Sequence, residues 1–124
     1  MTLERERARA RGTAAEWMAA AVLRAKFYRV LARGFRAKGG ELDIVALTPP
    51  WAPRTIVFVE VRARATVEAA VDSVGAEKRR RVETASRQFC AQRPKLKALP
   101  RRYDLILLAP GRLPEHIKDA WRPE

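Results

Sequence analysis

Apolar residues recur along the chain with two different periods. Between Thr13 and Lys26, the residues Trp17, Met18, Ala21, Val22 and Ala25 fall at i, i+1, i+4, i+5 and i+8, one stripe of a helix. Thr13, followed three residues later by Glu16, matches a capping box and marks the expected start. From Phe27 to Arg33 the period drops to two, with Tyr28, Val30 and Ala32 alternating, which predicts a first strand. Gly34 and Lys38-Gly39-Gly40 then supply turns. Glu41 to Leu47 reads as a second strand closed by Pro49-Pro50, and Ile56 to Val61 as a third. The nearly unbroken apolar run Ile-Val-Phe-Val-Glu-Val is the mark of a strand covered on both faces. Residues 63–73 read as a loop or active-site flap. A second helix is expected from Gly75 to Gln92, with Lys78, Val82, Ala85 and Phe89 on one face and Pro94 at its end. Tyr103 to Ala109 is a fourth buried strand, stopped by Pro110-Gly111, and the spacing of Ile117 and Trp121 predicts a closing helical turn.

The resulting order, α-β-β-β-α-β, has no internal repeat and no linker long enough to divide it. It predicts an α/β protein with a central mixed sheet flanked by helices. One domain is expected over residues 13–124. Residues 1–12 precede it as a basic N-terminal arm in which Arg5, Arg7, Arg9 and Arg11 alternate with Glu and Ala. Such an arm is either a solvated tail or a segment that touches phosphates.

Charge narrows the partner. A length of 124 residues can close one core without disulfides or a structural metal. The formal net charge of +12 favours a polyanion, with nucleic acid ahead of an acidic membrane surface. No apolar run approaches the roughly 20 residues that span a bilayer. The charged N-terminus lacks an apolar signal region. The single Cys90 excludes a disulfide framework within the chain and a Cys-rich zinc site, and the single His116 disfavours His-based nuclease chemistry. A cytoplasmic, reduced protein is the expectation.

The candidate chemistry lies in the carboxylates. Alternation puts Glu41 and Asp43 on one face of the second strand, and Glu60 with Arg62 on one face of the third. If these strands pair, Asp43 and Glu60 stand side by side. Glu60 interrupts an apolar run between Val59 and Val61, where an unpaired carboxylate costs several kcal/mol. It must be paired with Arg62, Arg64 or Lys78, be protonated, or bind a metal. Oxygen ligands of this kind suit Mg²⁺ or Mn²⁺.

Three segments carry a resemblance. Gly40-Glu41-Leu42-Asp43-Ile44-Val45-Ala46, Val57-Phe58-Val59-Glu60-Val61-Arg62-Ala63-Arg64 and Arg102-Tyr103-Asp104-Leu105-Ile106, together with Glu16 and Lys78, resemble the YraN-like family over roughly residues 10–121. That family looks like a branch of the PD-(D/E)XK nuclease superfamily and is similar in fold to archaeal Holliday-junction resolvases. The resemblance implies a restriction-endonuclease-like core, Asp43 and Glu60 as metal ligands, and the Val61 carbonyl as a third oxygen. It also implies Glu41 as an outer ligand or water-positioning group, and Glu16 as a further carboxylate reaching the same cation. The superfamily most often has Lys where this chain has Arg62, and arginine is a poor base near neutral pH. Arg62 is then expected to hold a phosphate or stabilise transition-state charge, and Lys78 to supply an ammonium.

Several residues have a plain reading beside the functional one. Glu16 is either the capping partner of Thr13 or a site carboxylate, and Lys78 is either solvated or turned to the sheet. Arg79, Arg80, Arg64 and Lys38 are candidate phosphate contacts or a solvated charged surface. Asp104 reads as a structural ion pair beside Arg101 and Arg102, His116 as a satisfied histidine, and Cys90 as a buried helix residue. Trp17, Trp51 and Trp121 read as packing groups, with Trp51 in its Pro-rich loop the open case. The leading expectation is a metal-dependent nuclease acting on DNA, branched or damaged DNA by resemblance, with a homodimer an open option. The alternatives are a non-catalytic nucleic-acid-binding domain on the same scaffold and a small basic ribosome-associated protein.

Overall fold

The computed structural model describes residues 3–123, and the side chains of residues 4–13 fall outside that description. The side chains of Arg5, Arg7, Arg9 and Arg11, read as a solvated tail or as phosphate contacts, therefore lie outside the described residues. The elements are α1 (Leu3–Ala25), β1 (Arg29–Ala37), β2 (Gly40–Leu47), β3 (Ile56–Ala63), α2 (Val67–Asp72), α3 (Ala76–Ala91), α4 (Pro94–Lys97), β4 (Arg101–Leu108) and β5 (Glu115–Trp121). The five strands form one sheet in the order β1-β2-β3-β4-β5. Three neighbouring pairs are antiparallel, and β3 runs parallel to β4 because the chain returns through α3. This is the expected mixed sheet between helices, compatible with a restriction-endonuclease-like core.

The sheet is covered on both faces. On one face α3 lays Val82, Ala85 and Phe89 over Val45, Phe58, Tyr103 and Leu105. On the other α1 lays Ala19, Ala20 and Leu23 over Ile44, Val57, Val59 and Ile106. The central strand β3 is buried from Ile56 to Val61, as its apolar run requires.

Five expectations change. The buried stripe of α1 is Ala19, Ala20 and Leu23, whereas Trp17 and Met18 are 53% and 54% exposed. Alanines let the helix backbone approach the sheet, and the Trp17 ring instead receives the Arg33 guanidinium at 3.9 Å. Thr13 lies inside α1, so the pair with Glu16 is no capping box. Gly34 does not turn the chain; β1 runs through it to Ala37, with glycine taking φ +64° at no steric cost. Residues 63–73 contain α2, whose first turn is capped by the Thr66 hydroxyl accepting the Ala69 N–H. Finally, Ile117 and Trp121 lie on β5, paired with Leu105 and Tyr103, rather than on a helical turn. A spacing of four is a multiple of the strand period as well as one helical turn, so that signal was degenerate.

Helix α3 also sits unusually close to β2. A methyl group built on Gly40 would overlap the Arg81 carbonyl of α3, a backbone atom that can move only with its helix. The Gly40→Ala variant is expected to lose about 1–3 kcal/mol of stability, read as a lower urea midpoint.

Candidate functional site

Regular alternation fails on β2 at one residue. Leu42 packs in the α3-side core while Ile44, two positions on, packs in the α1-side core. Asp43 lies at the crossing. The β2–β3 ladder has Ile44 opposite Val59 as its last pair, so the next position in register would set Asp43 opposite Glu60. There the strands are joined by a side chain instead: Asp43 Oδ2 accepts the Val61 N–H at 2.9 Å. The structure thus brings together the two carboxylates that the strand pattern had paired.

Glu60 is 1% exposed. Lys78 Nζ, from the first turn of α3, stands 3.5 Å from its Oε1, and Arg62 Nη2 stands 3.6 Å away. Neither group makes a hydrogen bond to that oxygen, which is left buried without a donor. Burial first, and the adjacent Asp43 carboxylate second, push the Glu60 pKa up to about 8, against the downward pull of Lys78 and Arg62. Near neutral pH the acid form of Glu60 is therefore favoured.

Glu16 takes the leading place on the buried stripe Glu16-Ala19-Ala20-Leu23 and so faces the sheet from α1. Its Oε1 lies over Gly34, where a Cβ would come within 3.4 Å of it. Burial and then Asp43 raise its pKa, with Arg33 opposing. Glu41 is exposed and faces Arg36 at 3.8 Å, a weak surface pair. Among the described residues no three His, Cys, Asp or Glu side chains gather into a metal-holding group, so Glu16 and Glu41 do not complete a shell around Asp43 and Glu60. The Val61 carbonyl, the expected third oxygen, accepts Arg62 Nη1 at 3.1 Å. Arg62 thus bridges that carbonyl and Glu60, holding positive charge against the oxygens assigned to a cation.

The other candidates divide. Arg64 is exposed just beyond the site and donates to the Ala63 carbonyl at 2.8 Å. Lys38 is exposed in the β1–β2 turn, its carbonyl accepting Gln88 Nε2. Arg80 is exposed, but Arg79 is tethered, with Nε donating to the Val74 carbonyl at 2.8 Å and its guanidinium 5.6 Å from the Trp121 ring. Arg79, Arg80, Arg87 and Arg122 line a cavity of about 380 Å³ beside Trp121.

A second polar centre went largely unseen in the sequence. Asp104 is fully buried and accepts four hydrogen bonds: Arg102 Nε at 2.8 Å, Arg102 Nη2 at 2.7 Å, His116 Nε2 at 2.7 Å and the Asp119 N–H at 2.9 Å. Arg102 Nη2 also donates to the Tyr28 hydroxyl, and Lys26 Nζ stands 2.6 Å from His116 Nδ1. Burial works against the Asp104 carboxylate, but the His116, Arg102 and Asp119 hydrogen bonds outweigh it and hold its pKa below the ordinary value. The structural reading of Asp104 and the satisfied histidine both fit this network.

A five-stranded mixed sheet flanked by helices, with half-buried Asp43 and buried Glu60 on neighbouring strands, is compatible with a restriction-endonuclease-like core. A family model described as "Uncharacterised protein family UPF0102" matches residues 15–108, and the chain belongs to that family, the YraN family of nuclease-like proteins. It is 46% identical over 123 residues to a UPF0102 protein of Maricaulis maris, covering 99% of this chain and 94% of that one. It is 43% identical over 119 residues to one from Paramagnetospirillum magneticum (93% and 89% covered), and 44% identical over 114 residues to one from Methylorubrum extorquens (92% and 86% covered). Among the described residues no helix is long and apolar enough to cross a membrane.

Proposed function

We propose that the chain is a metal-dependent nuclease that hydrolyses phosphodiester bonds of DNA. The observation that carries this reading is Glu60: a carboxylate with a buried oxygen lacking any hydrogen-bond donor, set beside a second carboxylate. A cation is the partner that relieves both features, and two carboxylates plus one carbonyl leave room for water and a phosphate oxygen in a Mg²⁺ or Mn²⁺ shell. Asp43, Glu60 and the Val61 carbonyl would hold it. Once bound, the ion supplies positive charge that polarises the phosphodiester and activates water.

The chain's own groups do the rest. Asp43 keeps β2 and β3 joined through the Val61 N–H while its other oxygen remains for the cation. Arg62 leaves the Val61 carbonyl and turns its fork to the scissile phosphate, where two parallel N–H donors meet two oxygens. Lys78 remains beside Glu60 and offsets the charge that develops on the phosphoryl oxygens. Glu16 faces the pair from α1 and would orient the attacking water, while Glu41, paired with Arg36 at the surface, would act only from farther out. Water oxygen bonds to phosphorus and releases a proton to solvent, the bond to the leaving ester oxygen breaks, and the released alkoxide takes a proton from solvent.

Linear, plasmid and four-way-junction DNA incubated with Mn²⁺ or with chelator tests this. Cleavage is expected only with metal and is lost in Asp43→Ala and Glu60→Ala; cleavage that persists in both variants refutes the assignment. The position of Arg62 supports a second reading, a non-catalytic nucleic-acid-binding domain in which Arg62 and Lys78 permanently neutralise the pair. That reading requires DNA binding with no cleavage of any of the three substrates.

A further inference from the structure

We infer that Phe27 and Trp51 form a stacking platform for an unpaired base of the nucleic acid, an inference that rests on the nucleic-acid reading above and names the substrate feature it selects. The two rings are 65% and 71% exposed and meet edge to face, with centroids 5.3 Å apart at 64°. Exposed aromatics in contact offer ring faces that any base can cover.

Neither ring is placed by packing needs. Phe27 follows the end of α1 in the left-handed region, φ 69°, while the Tyr28 N–H reaches back to the Leu23 carbonyl at 2.9 Å. Glycine commonly occupies that capping position, because a side chain there is strained. Here a bulky ring holds it and points to solvent. Trp51 is presented by a pinned loop. Thr48 Oγ1 donates to the Pro53 carbonyl at 2.9 Å and accepts the Thr55 N–H at 3.0 Å, and the Ala52 N–H bonds to the Pro49 carbonyl at 3.0 Å. Both aromatics are thus set on a rigid mount.

Charge identifies the occupant. No Asp or Glu occurs between Glu16 and Glu41, or between Asp43 and Glu60, and those stretches carry both rings. They hold Arg24, Lys26, Arg29 and Arg54 close to the rings in sequence, with Arg24, Arg29 and Arg54 exposed. An aromatic pair whose flanking sequence carries only basic charges fits a base flanked by phosphates. The Leu47–Ile56 pair at the foot of the Trp51 loop lies four residues along the strands from the Asp43–Glu60 position, about 13 Å at the usual rise. That is close to four steps of a DNA duplex. The platform would therefore hold an unpaired base a few nucleotides from the carboxylates, favouring DNA with a single-stranded segment over uniform duplex.

Binding of labelled oligothymidylate and of a blunt hairpin duplex, both in chelator, tests this with cleavage switched off. Trp51→Ala and Phe27→Gly are each expected to weaken oligothymidylate binding roughly tenfold or more and duplex binding less than twofold. Phe27→Gly is also expected to melt at or above the wild-type temperature, because glycine relieves the left-handed position. Variants that bind both DNAs like wild type overturn the platform and leave the nuclease reading standing. Loss that is equal on both DNAs, or that accompanies a lower melting temperature in both variants, marks a structural role and also overturns it. A wild-type dimer lost in Trp51→Ala, with DNA binding unchanged, assigns the patch to self-association instead. Wild-type protein that binds neither DNA removes the nucleic-acid reading and the platform with it.

Discussion

Glu60→Gln is expected to make the protein more stable at alkaline pH and to remove metal-dependent cleavage. The folded-state pKa of Glu60 is raised to about 8 from an ordinary value of 4.5. Between those values the folded chain binds a proton that the unfolded chain has lost. Stability from this group is therefore complete below pH 4.5 and declines as pH rises to about 8, by about 1.4 kcal/mol per unit. Glutamine resembles the protonated acid and does not titrate. In chelator, wild type and variant should melt at similar temperatures near pH 4.5, and the variant should lead by several kcal/mol at pH 8.5. With metal the order of merit reverses. Glutamine cannot supply the charged oxygen, and cleavage should fall at least about 100-fold, a floor set by what loss of a supporting partner costs a metal site. Melting curves that stay parallel across that pH range would show that Glu60 is ionised and satisfied by Lys78 and Arg62.

Asp104→Asn carries the largest expected loss of stability. The carboxylate accepts four hydrogen bonds while fully buried, two of them from the half-buried Arg102. An amide cannot accept on its nitrogen and brings no charge, so Arg102 is left without its counterion. Breaking a buried pair in this way costs about 3–5 kcal/mol, enough to lower the melting temperature by more than about 10 °C in a domain of this size. The bond from the Asp119 N–H makes the effect extend to β5, where Asp119 has φ 53°. The acid side follows from the same network. Because the folded pKa lies below the ordinary 3.8, the contribution is complete above that value and is lost as pH falls through the folded pKa. Wild type should therefore lose stability steeply on acidification below about pH 4, and Asp104→Asn should show a shallower loss. A variant that melts within a degree or two of wild type would mean that water serves Arg102 equally well.

Much of the site could be read before any coordinates. Two strands at the right spacing, each carrying one acid in an apolar setting, had few ways to pair other than Asp43 beside Glu60. Lys78 followed from the periodicity of its helix. Glu16 did not. The helix offered Trp17 and Met18 as the obvious apolar face, and a hydrophobic count favours large side chains over two alanines and a leucine. The sheet chose the alanine face because it admits close approach, and Glu16 came with it. The partners of Asp104 were equally hidden. His116 and Asp119 lie on a strand whose four-residue spacing had suggested a helical turn.

The order of the first four strands, the burial of β3 and the excess of positive charge are local or additive properties, and they were determined by the chain as written. The meeting of groups far apart in sequence was decided only by tertiary structure. The Asp43 carboxylate replaces a ladder bond to Val61, Arg62 folds back onto the Val61 carbonyl, and Phe27 meets Trp51 across two loops. Periodicity reports which side of its own element a residue takes. Which distant group it finds there depends on register, on the crossing where β2 changes face, and on how closely each helix can settle on the sheet.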